Sequence, residues 1–171
     1  MYKVYIMRKI TRSKYGNKFI YVVDDEKEGF IPFKTKRMAE MYAKQIGYKK
    51  PLVRFDSQLE YQRYVNLMDW ERKGIIRDLK RQVTFELVPK QNVEICYFDS
   101  NLERPVYKEV KEAAVRYIAD ACYYVGDIYV VEDTKSEITR KKPDYRIKKK
   151  LMLEKYNIWI KEVDKKDRHI L

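Results

Sequence analysis

Two stretches of this chain place a carboxylate in an apolar setting. In Tyr117-Ile118-Ala119-Asp120-Ala121-Cys122-Tyr123-Tyr124 one acid interrupts an apolar run, and Tyr129-Val130-Val131-Glu132-Asp133-Thr134-Lys135 ends in an acid, a spacer and a lysine. Both runs are rich in β-branched and aromatic residues and read as strands. Side chains alternate faces along a strand, so Asp133 and Lys135 point the same way as Val131, and Glu132 points the other way unless the strand bulges. Gly126-Asp127 between the runs predicts a hairpin that sets Asp120 across from Asp133 and Lys135. Neighbouring carboxylates withdrawn from water are unfavourable unless a cation compensates them. Mg²⁺ or Mn²⁺ suits such a pair. Mg²⁺ is hard, prefers oxygen, keeps several waters and is commonly held by one or two carboxylates with a substrate phosphate. Lys135 beside it would be a compact positive charge able to orient a water and offset charge building on a phosphate. The chemistry expected is metal-assisted phosphodiester hydrolysis. The competing arrangement has Asp120 in solvent on an amphipathic strand and Asp133 with Lys135 as an ordinary surface ion pair.

These strands need neighbours to hold them. Further strands are expected at Ile75 to Leu79, Thr84 to Val88, Val93 to Phe98 and Ile158 to Val163. The main body begins at Leu52, and Ser57 with Glu60 has the spacing of a capping box, predicting a helix that runs to Lys73 before Gly74. Tyr61, Tyr64, Val65, Met68 and Arg72 share one face of it. A second helix, Pro143 to Lys155, carries Pro143 in its first turn, where proline is tolerated. The first fifty residues read as a separate ββα module. Its parts are a strand from Tyr2 to Ile10, a turn at Ser13 to Asn17, a strand from Phe19 to Val23, and a helix capped by Thr35 and closed by Gly47.

With 171 residues the chain suits one ordinary domain, or a core with a small satellite. Apolar residues make up 45% and charged residues 37%, with a mean hydropathy of −0.68, so a heavily charged surface surrounds an ordinary core. Five glycines and five prolines are too few for a disordered chain. The net charge of +12 and a pI near 9.5 point to a polyanionic partner, with nucleic acid leading. No window approaches the ~18 to 20 apolar residues of a spanning helix, so a membrane is not expected. The N-terminus lacks the features of a signal peptide, which makes the cytoplasm the expected location. Cys96 and Cys122, each in an apolar stretch, read as reduced core thiols, and His169 as a solvated tail residue. Arg140, Lys141, Lys142, Arg146, Lys148, Lys149 and Lys150 face a single acid, Asp144, in the same stretch. Such a run is either a solvated face or, beside a phosphodiesterase site, a phosphate track.

A family resemblance runs through these segments. Arg54 to Tyr61, Lys73 to Leu87, Arg116 to Asp120, Val130 to Lys135 and Tyr145 to Met152, in that order and spacing, resemble a family of phage proteins of unknown function assigned to the PD-(D/E)XK nucleases. More distantly they are similar to TnsA-type transposon end nucleases and phage junction-resolving enzymes. The resemblance covers residues 52 to 163. It implies that Asp120 takes the place of the motif's first aspartate, although Ala119 stands where many members have proline. Asp133 and Lys135 take the (D/E)-x-K places. Glu60 would complete the metal shell, though a capping-box glutamate needs no metal. Gln82 matches a glutamine of the pattern and would contact DNA or serve as a structural amide.

The resemblance also implies the host cell's cytoplasm as the location. The expected fold is α/β, with residues 51–171 forming a restriction-endonuclease-like mixed sheet flanked by the Ser57 and Pro143 helices, after the ββα module of residues 1–50. That module, with Phe30, Phe33, Thr35 and Lys36 before its helix, looks like the arm-binding domains of phage integrases and would either grip DNA or pack on the core. The expected activity is a Mg-dependent DNA endonuclease acting on branched or recombination intermediates. A homodimer would supply the two sites that cutting two strands takes. The alternative is a DNA-binding or host-partner-blocking protein that keeps the fold and does not cut.

Overall fold

The computed structural model of the protein describes residues 19–25, 29–167 and 170. Its contacts divide them into two units, one reaching Arg72 and including the segment from Asp164, the other spanning Lys73–Val163. The Ser57 helix, which the sequence groups with the main body, thus shares a unit with the N-terminal elements. The expected strand at Tyr2 to Ile10, the turn after it and His169 lie outside the described residues.

In the first unit, β1 (Ile20–Asp25) is the middle strand of a three-stranded antiparallel sheet, between β2 (Gly29–Phe33) and β3 (Val53–Phe55). Its near-continuous apolar run is explained by cover on both faces. Ile20 and Val22 pack with Phe55 and with Tyr61 of helix α2 (Gln58–Arg72), while Val23 packs with Ala39 and Ala43 of α1 (Lys36–Gln45). Both expected caps form. Thr35 Oγ1 accepts the Met38 N–H at 3.3 Å, and Ser57 Oγ accepts the Glu60 N–H at 3.0 Å. Gly47 closes α1 with a φ of 68°, in the left-handed region. The expected face of α2 packs in part, with Tyr61 in the core and Tyr64 and Val65 against it, while Arg72 is exposed. Glu60, Arg63 and Leu67 are buried as well. An apolar-only pattern cannot find a face that buries a glutamate and an arginine. The expected ββα order has no strand at Gly29–Phe33, where Pro32 lies inside one; as the outer strand of the sheet among the described residues it can accommodate a proline.

The second unit holds a mixed sheet in the order β4-β7-β8-β9, made of β4 (Arg77–Val88), β7 (Val115–Val125), β8 (Ile128–Thr134) and β9 (Lys161–Val163). The first three strands pair antiparallel and β9 returns parallel to β8. The chain between β8 and β9 passes through a short helix, α3 (Glu137–Arg140), and through α4 (Pro143–Tyr156). Tyr145 and Met152, two turns apart on α4, enter a core formed with Leu87, Tyr117, Ala119, Cys122, Val131 and Ile160. The architecture is therefore α/β with a mixed sheet and a helix packed on it. Three local expectations are corrected. The expected strands Ile75 to Leu79 and Thr84 to Val88 are replaced by one strand, β4, which begins at Arg77, with a register shift between Arg77 and Lys80 and Asp78 at a φ of 57°. The final strand starts at Lys161, not Ile158. Arg104–Glu112 forms a strand, β6, that among the described residues pairs only with β5 (Gln91–Asp99), and Cys96 on β5 is exposed whereas Cys122 is a core thiol as expected.

Candidate active site

The pairing of β7 with β8 stops at Ala121↔Glu132, although β7 continues to pair with β4 down to Val115. Asp120 and Asp133 flank that last pair. The Thr134 N–H, which a continued ladder would direct to a β7 carbonyl, instead donates to Asp120 Oδ2 at 2.8 Å, and the Thr134 hydroxyl donates to the same oxygen at 2.6 Å. Lys135 Nζ bonds Asp133 Oδ1 and lies 3.8 Å from Asp120 Oδ2. The two acids and the lysine thus meet at the carboxyl end of β8. Asp133 is fully buried, Asp120 and Lys135 only partly. In place of the solvent-facing alternative for Asp120 and the surface ion pair, the three side chains form a partly buried cluster around Asp133.

The surroundings of Asp133 were not anticipated from sequence. Tyr117 Oη donates to Asp133 Oδ2 at 2.9 Å. The parallel ladder sets Glu162 of β9 beside Asp133, and the buried Tyr145 hydroxyl faces both carboxylates. Burial, then the Asp133 and Glu162 charges, push the Tyr145 pKa up. Burial, then Asp133, does the same for Tyr117, so both phenols keep their protons. Burial first, and then the neighbouring Asp120 charge, push Asp133 up to about 7 against the opposing pull of Lys135.

The remaining candidates are scattered. Glu132 lies on the opposite face, as alternation requires, where its Oε2 accepts the Tyr123 hydroxyl at 2.7 Å and stands 4.0 Å from Lys161 Nζ. Glu60 belongs to the first unit and its Oε2 accepts the N–H of Asp56, the residue before the Ser57 cap, at 2.9 Å. Gln82, exposed in β4 between the pairs Arg81↔Ala121 and Val83↔Ala119, falls opposite Asp120 with a φ of 52°. The basic run divides. Lys149 Nζ donates to Glu162 Oε1 at 2.8 Å and lies over the Trp159 ring, and Arg140 Nε stands 3.8 Å from Glu162 Oε2. Lys141 pairs with Glu137 one turn away, and Lys148 is half-buried. Lys142, Arg146 and Lys150, at four-residue spacing, form an exposed basic edge at α4.

A family model described as a protein of unknown function, DUF1064, matches residues 38–166. The chain belongs to the DUF1064 family. The matched stretch contains Asp120, Asp133, Lys135, Tyr117, Tyr145 and Glu162, so the whole cluster lies within the matched residues. No curated protein and no solved structure matches the chain.

For a DUF1064 protein, then, chemistry must be read from the side chains. Among the described residues, no three His, Cys, Asp or Glu side chains form a group that could hold a metal ion. A divalent cation would have to rest on Asp120 and Asp133, a number of carboxylates that Mg²⁺ commonly takes from protein. The donor chemistry fits. Both groups are hard oxygen ligands, and the mutual repulsion that raises Asp133 is what a cation would relieve.

Proposed function

We propose that this protein is a metal-dependent deoxyribonuclease of the PD-(D/E)XK type. The observation that carries the reading is the convergence of Asp120, Asp133 and Lys135 at the end of β8, with Asp133 buried and its carboxyl pushed up to about 7. Two neighbouring carboxylates beside a lysine suit metal-assisted hydrolysis. Asp120 and Asp133 would hold Mg²⁺ or Mn²⁺, which when bound polarises a phosphate and lowers the pKa of a water. Tyr117 and Thr134 fix the two carboxylates through the bonds they donate. Lys135, partly exposed, can turn from Asp133 toward an incoming phosphate and orient the attacking water. Lys142, Arg146 and Lys150 would track the DNA backbone, in keeping with the net charge of +12. Lys149 and Arg140 would act first as partners of Glu162. Glu60 is proposed as a capping residue rather than a ligand.

A second reading is a DNA-binding or partner-blocking protein that keeps this fold and does not cut. It draws on Lys135, whose ammonium already compensates both acids. Binding without activity separates the two readings. Calorimetric titration with Mn²⁺ should give one site that Asp133→Asn removes, and DNA should be cut only when that site is filled. A salt-dependent shift of DNA with neither metal uptake nor product would favour the second reading.

A further inference from the structure

Trp159 lies in the segment between α4 and β9 and is 70% exposed. Single exposed apolar side chains are ordinary on a protein surface. This one is set apart by how firmly it is held and by what stands around it. On one side of it Ile160 is buried in the core of the second unit, and on the other Ile158 packs against the same core. The Ile158 N–H also donates to the Met152 carbonyl at 3.4 Å, which ties the segment to the end of α4. The backbone is thus anchored on both sides of the indole, and the ring is presented outward from a firm support.

Lys149 Nζ stands over one face of that ring, 5.0 Å from its centroid, and the same ammonium donates to Glu162 Oε1 at 2.8 Å. Glu162 is the cross-strand neighbour of Asp133, so Lys149 joins the indole to the wall of the acid cluster. Helical spacing sets Lys149 on the same side of α4 as Lys142 and Arg146, seven and three residues before it, and both of these are exposed. The acids of α4 lie elsewhere: Asp144 on the opposite side, and Glu154 past Lys150, away from the ring. A flat aromatic face flanked by cations suits a nucleotide chain, with phosphates for the cations and a base for the ring. In a continuous duplex the faces of each base are already covered by its stacked neighbours. An unpaired base has a face to offer.

We propose that Trp159 is a stacking platform for an unpaired base of single-stranded DNA, and that with Lys142 and Arg146 it makes the protein favour strands carrying unpaired nucleotides over continuous duplex. The choice of DNA as ligand rests on the nuclease reading, whereas stacking needs no cleavage.

Binding to the full chain, measured in chelator, tests the platform with three probes: labelled oligodeoxythymidine, a strand of the same length made of abasic sites, and a covalently closed, relaxed duplex as competitor. Oligodeoxythymidine should quench the tryptophan emission of the wild type. It should quench Trp159→Phe far less, because the tryptophan that remains, Trp70, lies under the Arg63 guanidinium in the first unit. Trp159→Ala should weaken single-strand binding roughly tenfold, the size of effect one stacked base commonly has. Duplex affinity and the salt dependence of binding should not change, because the ring neutralises no phosphate. Trp159→Phe should recover part of the loss, and the abasic strand should bind the wild type and Trp159→Ala alike. The melting temperature of Trp159→Ala should match that of the wild type. Equal losses on single strand and duplex, an abasic strand that also separates the two proteins, or single-strand binding that Trp159→Ala leaves intact would overturn the proposal. So would a protein that binds no DNA, the result expected if this face serves an acidic protein. A chain that passes these tests and cuts nothing with Mg²⁺ or Mn²⁺ would keep the platform and lose the nuclease reading; one that cuts and ignores Trp159→Ala would do the reverse.

Discussion

A buried carboxyl group beside another carboxylate is more stable with its proton on, and Asp133, pushed up to about 7, is such a group. The consequence for stability has a definite sign. In the unfolded chain Asp133 loses its proton near pH ~4, so between about pH 4 and 7 the folded state binds more protons and stability falls as pH rises. Asp133→Asn removes the charge and leaves an amide oxygen for Tyr117. The metal-free variant should unfold at higher temperature than the wild type at pH 8, by roughly 1 kcal/mol or more, and match it near pH 4. Equal melting temperatures at both pH values would show that Asp133 is not a strained charge. In activity, Asp120→Ala, Asp133→Asn and Lys135→Ala should each reduce cleavage by several orders of magnitude while DNA binding persists; gel-shift and cleavage assays on the same preparations check both. The meeting of these three residues was legible in the sequence, because strand alternation and a two-residue turn are local rules. Glu162 and Tyr145 were not. Asp133 and Glu162 are neighbours through a parallel pairing formed across two helices, and parallel pairing leaves no local signature.

Elements fared according to how much of their pattern is local. The caps at Thr35 and Ser57 and the Pro143 start of α4 depend on a few adjacent residues and form as expected. β6 was missed because Arg104, Pro105, Lys108, Glu109, Lys111 and Glu112 make its sequence look like a charged loop, and an isolated ribbon has no buried face to betray it. β4 was split because Asp78 and Gln82, both at positive φ, interrupt its alternation. Glu60 can be assigned at this scale. Glu60→Gln keeps an oxygen for the Asp56 N–H and should cost no more than about 0.5 kcal/mol in urea unfolding, whereas Ser57→Ala should cost about 1 kcal/mol. If Glu60→Gln leaves stability intact and abolishes cleavage, Glu60 acts in the site and not as a cap. Met152, fully buried under α4 and seven residues from Tyr145, should cost ~2–5 kcal/mol as Met152→Ala, through the cavity it leaves beneath the sheet.

For the whole molecule, the division of contacts changes what truncation can test. Removing residues 1–50 would take away β1, the central strand that holds Phe55 and Tyr61, and so would leave α2 without its core. The truncated chain should therefore be insoluble or less stable, whatever the N-terminal segment binds. The net charge of +12 makes DNA association strongly salt-dependent, and each lost phosphate contact flattens the slope of log affinity against log salt by ~0.9. Lys142→Ala with Arg146→Ala should lower that slope by nearly 2 and leave metal binding unchanged. The most direct test is cleavage of linear, branched and single-stranded DNA by wild type and Asp133→Asn, each with Mg²⁺, Mn²⁺, Ca²⁺ or chelator. The wild type should yield product with Mg²⁺ or Mn²⁺ and almost none with Ca²⁺, whose longer and looser coordination misplaces the attacking water. Asp133→Asn should yield none in any condition. Full cleavage in chelator, or undiminished cleavage by Asp133→Asn, would contradict a metal-dependent nuclease centred on Asp120, Asp133 and Lys135.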